Sequence, residues 1–258
     1  MRSKILIVLL LVTALVLTGC RHRNKPVADP DTDSQGGPVA EQPADASADD
    51  QPEEPQLPMM ETSLSDYPLD TPTDDILVLV NKTHPVTREY VADDLVTVEH
   101  CDPSVGNVDT KKMRKVAADA IEDLIAGARE DGFDIVMRTG YHSYDYQDYL
   151  FSSYAANYGE AEANTYSARP GQSEHQTGWC CDVGRIGYGL TSFDGTKEAD
   201  WIADNCWKYG FILRYPADKT DITGYIYESW HIRYVGKDAA QYIDVNGLTL
   251  EEYLGILD

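Results

Sequence analysis

The stretch SEHQTGWCCD, residues 173–182, sets His175 and Asp182 seven positions apart, and YESWHIRYVG, residues 227–236, completes a site with them. In the second segment Glu228 and His231 stand three apart beside Trp230. Two imidazoles and one carboxylate are borderline-hard donors that suit zinc. Three protein ligands also leave a fourth position open, as a catalytic site needs and a closed structural site does not. His175, Asp182 and His231 are therefore the candidate metal ligands, and Glu228 is the carboxylate left over, placed to serve as a general base.

The surrounding pattern says how these residues are held. Residues 179–183 have the aromatic and β-branched bias of a central strand, which sets Asp182 at a fixed depth. The adjacent Cys180 and Cys181 read as buried small side chains of that strand. Glu228 and His231 differ by an odd number, so a bend or bulge must bring both to one metal. The clearest helix is 110–130, with Met113, Val116, Ala117, Ala120, Ile121, Leu124, Ile125 and Ala128 at three-and-four spacing. Asp109 or Thr110 can cap it and Gly132 can close it.

Strands are expected at 75–80, 133–137 and 211–214. RTGYHSYDYQDYLF, residues 138–151, turns at Gly140 into a tyrosine-rich helix, and 156–171 reads as a polar connection. Further helices are expected at 196–208, with Gly210 as the C-cap glycine, and at 237–245. Thr249 and Glu252 form a capping box for a last short one. Interspersed strands and helices make the class α+β, a single domain with a mostly antiparallel sheet and flanking helices.

Composition confines that domain to residues 76–258. Arg2 and Lys4 precede an apolar run, residues 5–17, too short to span a bilayer, so residues 1–20 read as an export signal. Its end, Leu17-Thr18-Gly19-Cys20, resembles the lipobox of bacterial lipoproteins, in which the cysteine becomes the lipidated N-terminus. That resemblance implies anchoring at Cys20 to the extracytoplasmic face of a bacterial cell membrane. Residues 21–75 carry fourteen acids and three bases in a Pro/Ala-rich, aromatic-poor segment that cannot bury enough apolar surface to order itself. As a flexible tether it would reach roughly 40 Å. With a net charge of −23 the chain is a poor partner for nucleic acid or anionic lipid, and no protein partner is expected. An exported domain permits disulfides among Cys101, Cys180, Cys181 and Cys206, and sequence does not choose a pairing.

The segments GYHSYDYQ, SEHQTGWCCDV, YGFILRYPADKTDITGYIYESWHIRYVG and LTLEEYL resemble the D-alanyl-D-alanine carboxypeptidases of the VanY type. That group also includes L,D-carboxypeptidases and D-alanyl-D-alanine dipeptidases of peptidoglycan metabolism. The resemblance implies a zinc peptidase that removes the terminal D-alanine from peptidoglycan stem peptides. It also implies zinc on His175, Asp182 and His231, Glu228 as catalytic base, Ser173 in contact with substrate and Gln147 near the pocket.

Two departures stand out. His142 takes the place of a usual arginine expected to stabilise an oxyanion or hold substrate, with Arg138 as a candidate to compensate. Ser229 takes the place of a usual proline. They leave open a catalytically impaired lipoprotein that binds peptidoglycan without cleaving it, and a site in which metal only stabilises the fold.

Overall fold

A computed structural model describes residues 76–256; the signal segment with Cys20 and the tether at 21–75 lie outside the described residues. Its centre is a four-stranded sheet of β3 (Val136–Thr139), β4 (Cys180–Gly184), β5 (Phe211–Leu213) and β6 (His231–Tyr234), in the order β3-β4-β6-β5. Every neighbouring pair is antiparallel, as the α+β reading expects. β1 (Leu95–Thr97) and β2 (Lys112–Arg114) form a separate two-stranded ribbon. The helices are α1 (Lys115–Glu130), α2 (Tyr144–Tyr158), α3 (Glu160–Tyr166), α4 (Lys197–Asn205), α5 (Thr220–Thr223), α6 (Lys237–Asn246) and α7 (Leu250–Leu254). Among the described residues no helix is long and apolar enough to cross a membrane.

Strand alternation gives the sheet two unlike faces. Met137, Cys181, Val183, Phe211 and Ile232 point into one core with Ile121, Leu124 and Ile125 of α1. The intervening positions Cys180, Asp182, His231 and Arg233 therefore share the opposite face. A smaller cluster of Leu79, Ile212, Val235, Ala240, Ile243 and Leu250 seats α6 and α7.

The polar face is held by buried charge. Arg214 and Arg233 are both fully buried and both donate to Oε1 of Glu174, at 2.7 and 2.9 Å. Arg214 also forms a two-pronged pair with Glu251 of α7, at 2.8 and 2.6 Å. Two guanidinium groups against two carboxylates cancel formally, which is what permits such charges in an interior. Burial alone would raise the Glu174 carboxyl, but Arg214 and Arg233 hold it well below the usual carboxylate range.

Several expected elements form differently. The helix expected over 110–130 begins only at Lys115. Lys112–Arg114 instead pairs with Leu95–Thr97, and that cross-strand partner overrides the local helical periodicity. Residues 76–80 form no strand. The carbonyls of Ile76 and Val78 accept from Arg233 Nη2, each at 2.8 Å, rather than from a ladder N–H. The polar connection after 156 contains α3, which Gly159 at φ 90° separates from α2. The expected helix over 196–208 tightens to 3-10 form from Cys206, ending at Gly210 in the left-handed region. The capping box of Thr249 and Glu252 is present as read. Cys101, Cys180, Cys181 and Cys206 are all unpaired.

Arg214→Ala is expected to cost roughly 3–5 kcal/mol, because it leaves Glu251 buried without a cation and Glu174 with Arg233 alone. Urea unfolding measures this, and a loss below about 1 kcal/mol would show that the network is not holding the fold. A carboxyl lowered on folding stabilises above its unfolded pKa, about 4.3 for glutamate, and loses that contribution as pH falls towards its folded value. Stability should therefore decline below about pH 4, and less steeply in Glu174→Gln.

Candidate metal centre

Asp182 and His231 face each other as register partners on β4 and β6, so the sheet itself brings them together. His175 arrives from a 3-10 turn, Glu174–Thr177, whose N-cap Ser173 accepts from the His175 N–H. Gly178 then turns the chain into β4 with φ 73°, where a Cβ would lie 2.8 Å from Leu95. Glu228 lies outside β6, before a turn at Ser229 and Trp230, which resolves the odd spacing. That turn is fixed by Glu228 N–H to the Tyr215 carbonyl, 3.2 Å, and Val183 N–H to the Trp230 carbonyl, 2.9 Å. Ser229 is buried and its hydroxyl has no hydrogen-bond partner, so the residue in place of proline adds no tie.

The hydrogen bonds fix both tautomers. His175 Nδ1 lies 2.6 Å from the Gly140 carbonyl, which can only accept, so Nδ1 carries the proton and Nε2 presents a lone pair. His231 Nε2 lies 3.4 Å from Glu174 Oε2, which likewise assigns its proton there and leaves Nδ1 free to accept. Both lone pairs face one oxygen. Asp182 Oδ1 is 3.5 Å from His175 Nε2 and 3.1 Å from His231 Nδ1, and it has no hydrogen-bond partner despite its burial. Glu228 Oε2 is 3.8 Å from His231 Nδ1.

Two ring nitrogens and a carboxylate oxygen converging on one point call for a cation, so these residues fit a metal of nitrogen and oxygen preference. Desolvation opposes a charged imidazole, yet Cys180 and Asp182 carry His175 above its ordinary value, a further sign of a field that favours positive charge. Burial, opposed by His231 and reinforced by Asp182, pushes the Glu228 carboxyl up to about 8.

The remaining candidates take positioning roles. His142 is buried and stacks on His175 with ring centroids 4.2 Å apart. Its Nδ1 is 3.0 Å from Gln147 Oε1 and its Nε2 is 2.8 Å from the Thr139 hydroxyl, so both nitrogens are committed. Burial, with His175 alongside, lowers it to about 3, so it is a neutral ring and not the cationic donor that would replace arginine. Gln147 is engaged at both ends of its amide, which also donates 2.7 Å to the Ala168 carbonyl. Arg138 does not compensate for the arginine. Its guanidinium is bound 2.8 Å to Asp102 and to the carbonyls of Arg185 and Tyr188, so it ties loops together.

Two participants were not singled out as such from the sequence. Glu174 orients His231, and nothing in its local pattern separates it from a surface glutamate. Cys180, read with Cys181 as packing, lies on the ligand face, and the two-residue alternation from Asp182 was the available signal.

Two histidines and a carboxylate converging on one point, with a second carboxylate beside them, are the donor set of a metal-dependent hydrolase. Residues 110–237 match the family described as VanY, D-alanyl-D-alanine carboxypeptidase. The chain is 42% identical over 183 residues to YodJ of Bacillus subtilis (strain 168), a carboxypeptidase by name, spanning 70% of this chain and 67% of YodJ. It is 36% identical over 186 residues to a D-alanyl-D-alanine carboxypeptidase of Enterococcus faecium, covering 70% of this chain and 58% of that enzyme's length.

Among solved structures it resembles the LdcB LD-carboxypeptidase, with TM-score 0.66 and 41% identity over 72% of this chain and 88% of that one. It also resembles a VanY D,D-pentapeptidase from a VanB-type resistance cassette in complex with Zn(II), with TM-score 0.59 and 34% identity over 69% of this chain and 98% of that one. The chain belongs to the VanY family of D-alanyl-D-alanine carboxypeptidases, and its converging histidines and carboxylate fit a metal.

Replacing Glu174 with glutamine keeps the volume but weakens the hold on His231. Zinc affinity, measured by competition with a chelator, is expected to fall roughly 10–100-fold, as for other residues that orient a metal ligand. An unchanged affinity would mean that His231 is oriented without Glu174.

Proposed function

We propose that this enzyme removes the C-terminal D-alanine from peptidoglycan stem peptides, with His175, Asp182 and His231 holding zinc and Glu228 moving the proton. The observation that carries the reading is the convergence of His175 Nε2, His231 Nδ1 and the unpartnered Asp182 Oδ1 beside Glu228. The substrate class is supported by the relatives, whose names specify D-alanyl-D-alanine, D,D-pentapeptide and LD-carboxypeptidase activities.

Zinc supplies Lewis acidity that polarises a carbonyl and acidifies water. Glu228 accepts the proton of the attacking water and delivers it to the leaving amine as the carbon–nitrogen bond breaks. A carboxyl raised by burial suits both steps, since it gives the proton up as readily as it takes it, and a neighbouring divalent cation favours its charged form beforehand. The Gly140 carbonyl and Glu174 keep the imidazoles turned to their task throughout. The intact base and ligands favour catalysis over a role confined to binding the wall.

The same proposal anchors the domain through a lipid on Cys20 at the extracytoplasmic face of the cell membrane, with residues 21–75 as spacer. Its support is the Leu17-Thr18-Gly19-Cys20 sequence and the acidic, proline-rich composition that follows. Fatty-acid labelling that persists in Cys20→Ala would remove this part.

The full chain with zinc, given stem tetrapeptide and pentapeptide separately, should release one alanine from at least one of them, read by mass spectrometry and abolished by a chelator. Consumption of the pentapeptide indicates D,D-cleavage and of the tetrapeptide L,D-cleavage. Glu228→Ala should keep its zinc while turnover falls roughly 10²–10⁴-fold. Release from neither peptide by zinc-loaded protein contradicts the proposal, and turnover within tenfold of wild type in the variant contradicts the role of Glu228.

A further inference from the structure

The two adjacent cysteines of β4 have opposite surroundings. Cys181 lies in the apolar core with Val183 and Ile232. Cys180, two residues before Asp182, shares the ligand face and is fully buried. Its sulfur and one ring nitrogen each of His175 and His231 all lie within 4.8 Å of one another. Around tetrahedral zinc, donors at about 2.0–2.1 Å for nitrogen and 2.3 Å for sulfur stand roughly 3.3–3.6 Å apart, so a closure of about 1 Å would bring all three into one coordination sphere. The same imidazoles flank the unpartnered Asp182 Oδ1, an independent sign that a cation belongs at this point.

We infer that Cys180 supplies a fourth protein ligand through its sulfur, from its buried position on the ligand face of β4. The thiol proton leaves to solvent as the metal binds. Zinc can expand to five-coordination, which leaves a position for water or substrate beside four protein ligands. Sulfur also biases the site towards zinc over magnesium, calcium or manganese, which prefer oxygen. With Asp182 and Cys180 both anionic, the charge of the divalent metal is cancelled within its first shell.

This inference rests on the metal being held by His175, Asp182 and His231, and the test separates the two claims. The full chain is loaded with Co²⁺ in place of zinc and its absorption recorded. Sulfur ligation gives an intense sulfur-to-cobalt charge-transfer band in the near ultraviolet, whereas nitrogen and oxygen ligation gives only the weak visible bands. The band should be present in wild type, absent in Cys180→Ala and in the nearly isosteric Cys180→Ser, and retained in Cys101→Ala. Zinc affinity should fall about tenfold or more in both Cys180 variants, since even residues outside the first shell contribute that much. Cobalt bound with visible bands alone, or a charge-transfer band that survives in Cys180→Ser, would overturn the role of Cys180 and leave the three-ligand site standing. No stoichiometric cobalt on wild type would overturn both.

Discussion

The Glu174 carboxylate, held between two fully buried arginines, is the interaction on which the rest of the structure depends. One oxygen takes Arg214 and Arg233, and the other faces His231 Nε2. Because Arg214 also pairs with Glu251 and Arg233 with the carbonyls of Ile76 and Val78, both ends of the described domain converge on the His231 imidazole. A buried ion pair need not stabilise a fold better than packed hydrophobes would. What it supplies here is orientation, by fixing which nitrogen of His231 carries a proton and hence which one is free to bind metal.

The second constraint is strand alternation. A single sheet with one face in the α1 core and the other polar separates Cys181 from Cys180 and Ile232 from His231. Ligand positions are then as rigid as the sheet, and the acceptor cluster can be held together before any cation arrives. The glycine at 140 contributes in the same way. A Cβ there would sit 2.3 Å from the Lys112 carbonyl, and the close approach it allows brings its own carbonyl within reach of His175.

Much of this was legible in the sequence, for identifiable reasons. His175, Asp182, Glu228 and His231 were readable because their chemistry is unusual and their spacing matches a strand and a bend. The capping box of Thr249 and Glu252 was readable because it depends only on local geometry. What was not legible depends on partners distant in the chain. Residues 76–80 look like a strand until Arg233, over 150 positions later, takes their carbonyls. Lys112–Arg114 looks helical until Leu95–Thr97 pairs with it. His142 looked like a weakened arginine, and only the positions of Thr139 and Gln147 show that it is a neutral ring stacked on His175. Arg138 looked like a spare cation because Asp102, its partner, is 36 residues away.

The central claim is that one metal ion binds His175 through Nε2, His231 through Nδ1 and Asp182 through its unpartnered oxygen. A crystal of the zinc-loaded protein, with diffraction recorded on both sides of the zinc absorption edge, tests it most directly. The account predicts one anomalous peak about 2.0–2.2 Å from those three atoms, with His231 Nε2 still on Glu174. A peak elsewhere, or His231 turned to offer Nε2 to the metal, would contradict it.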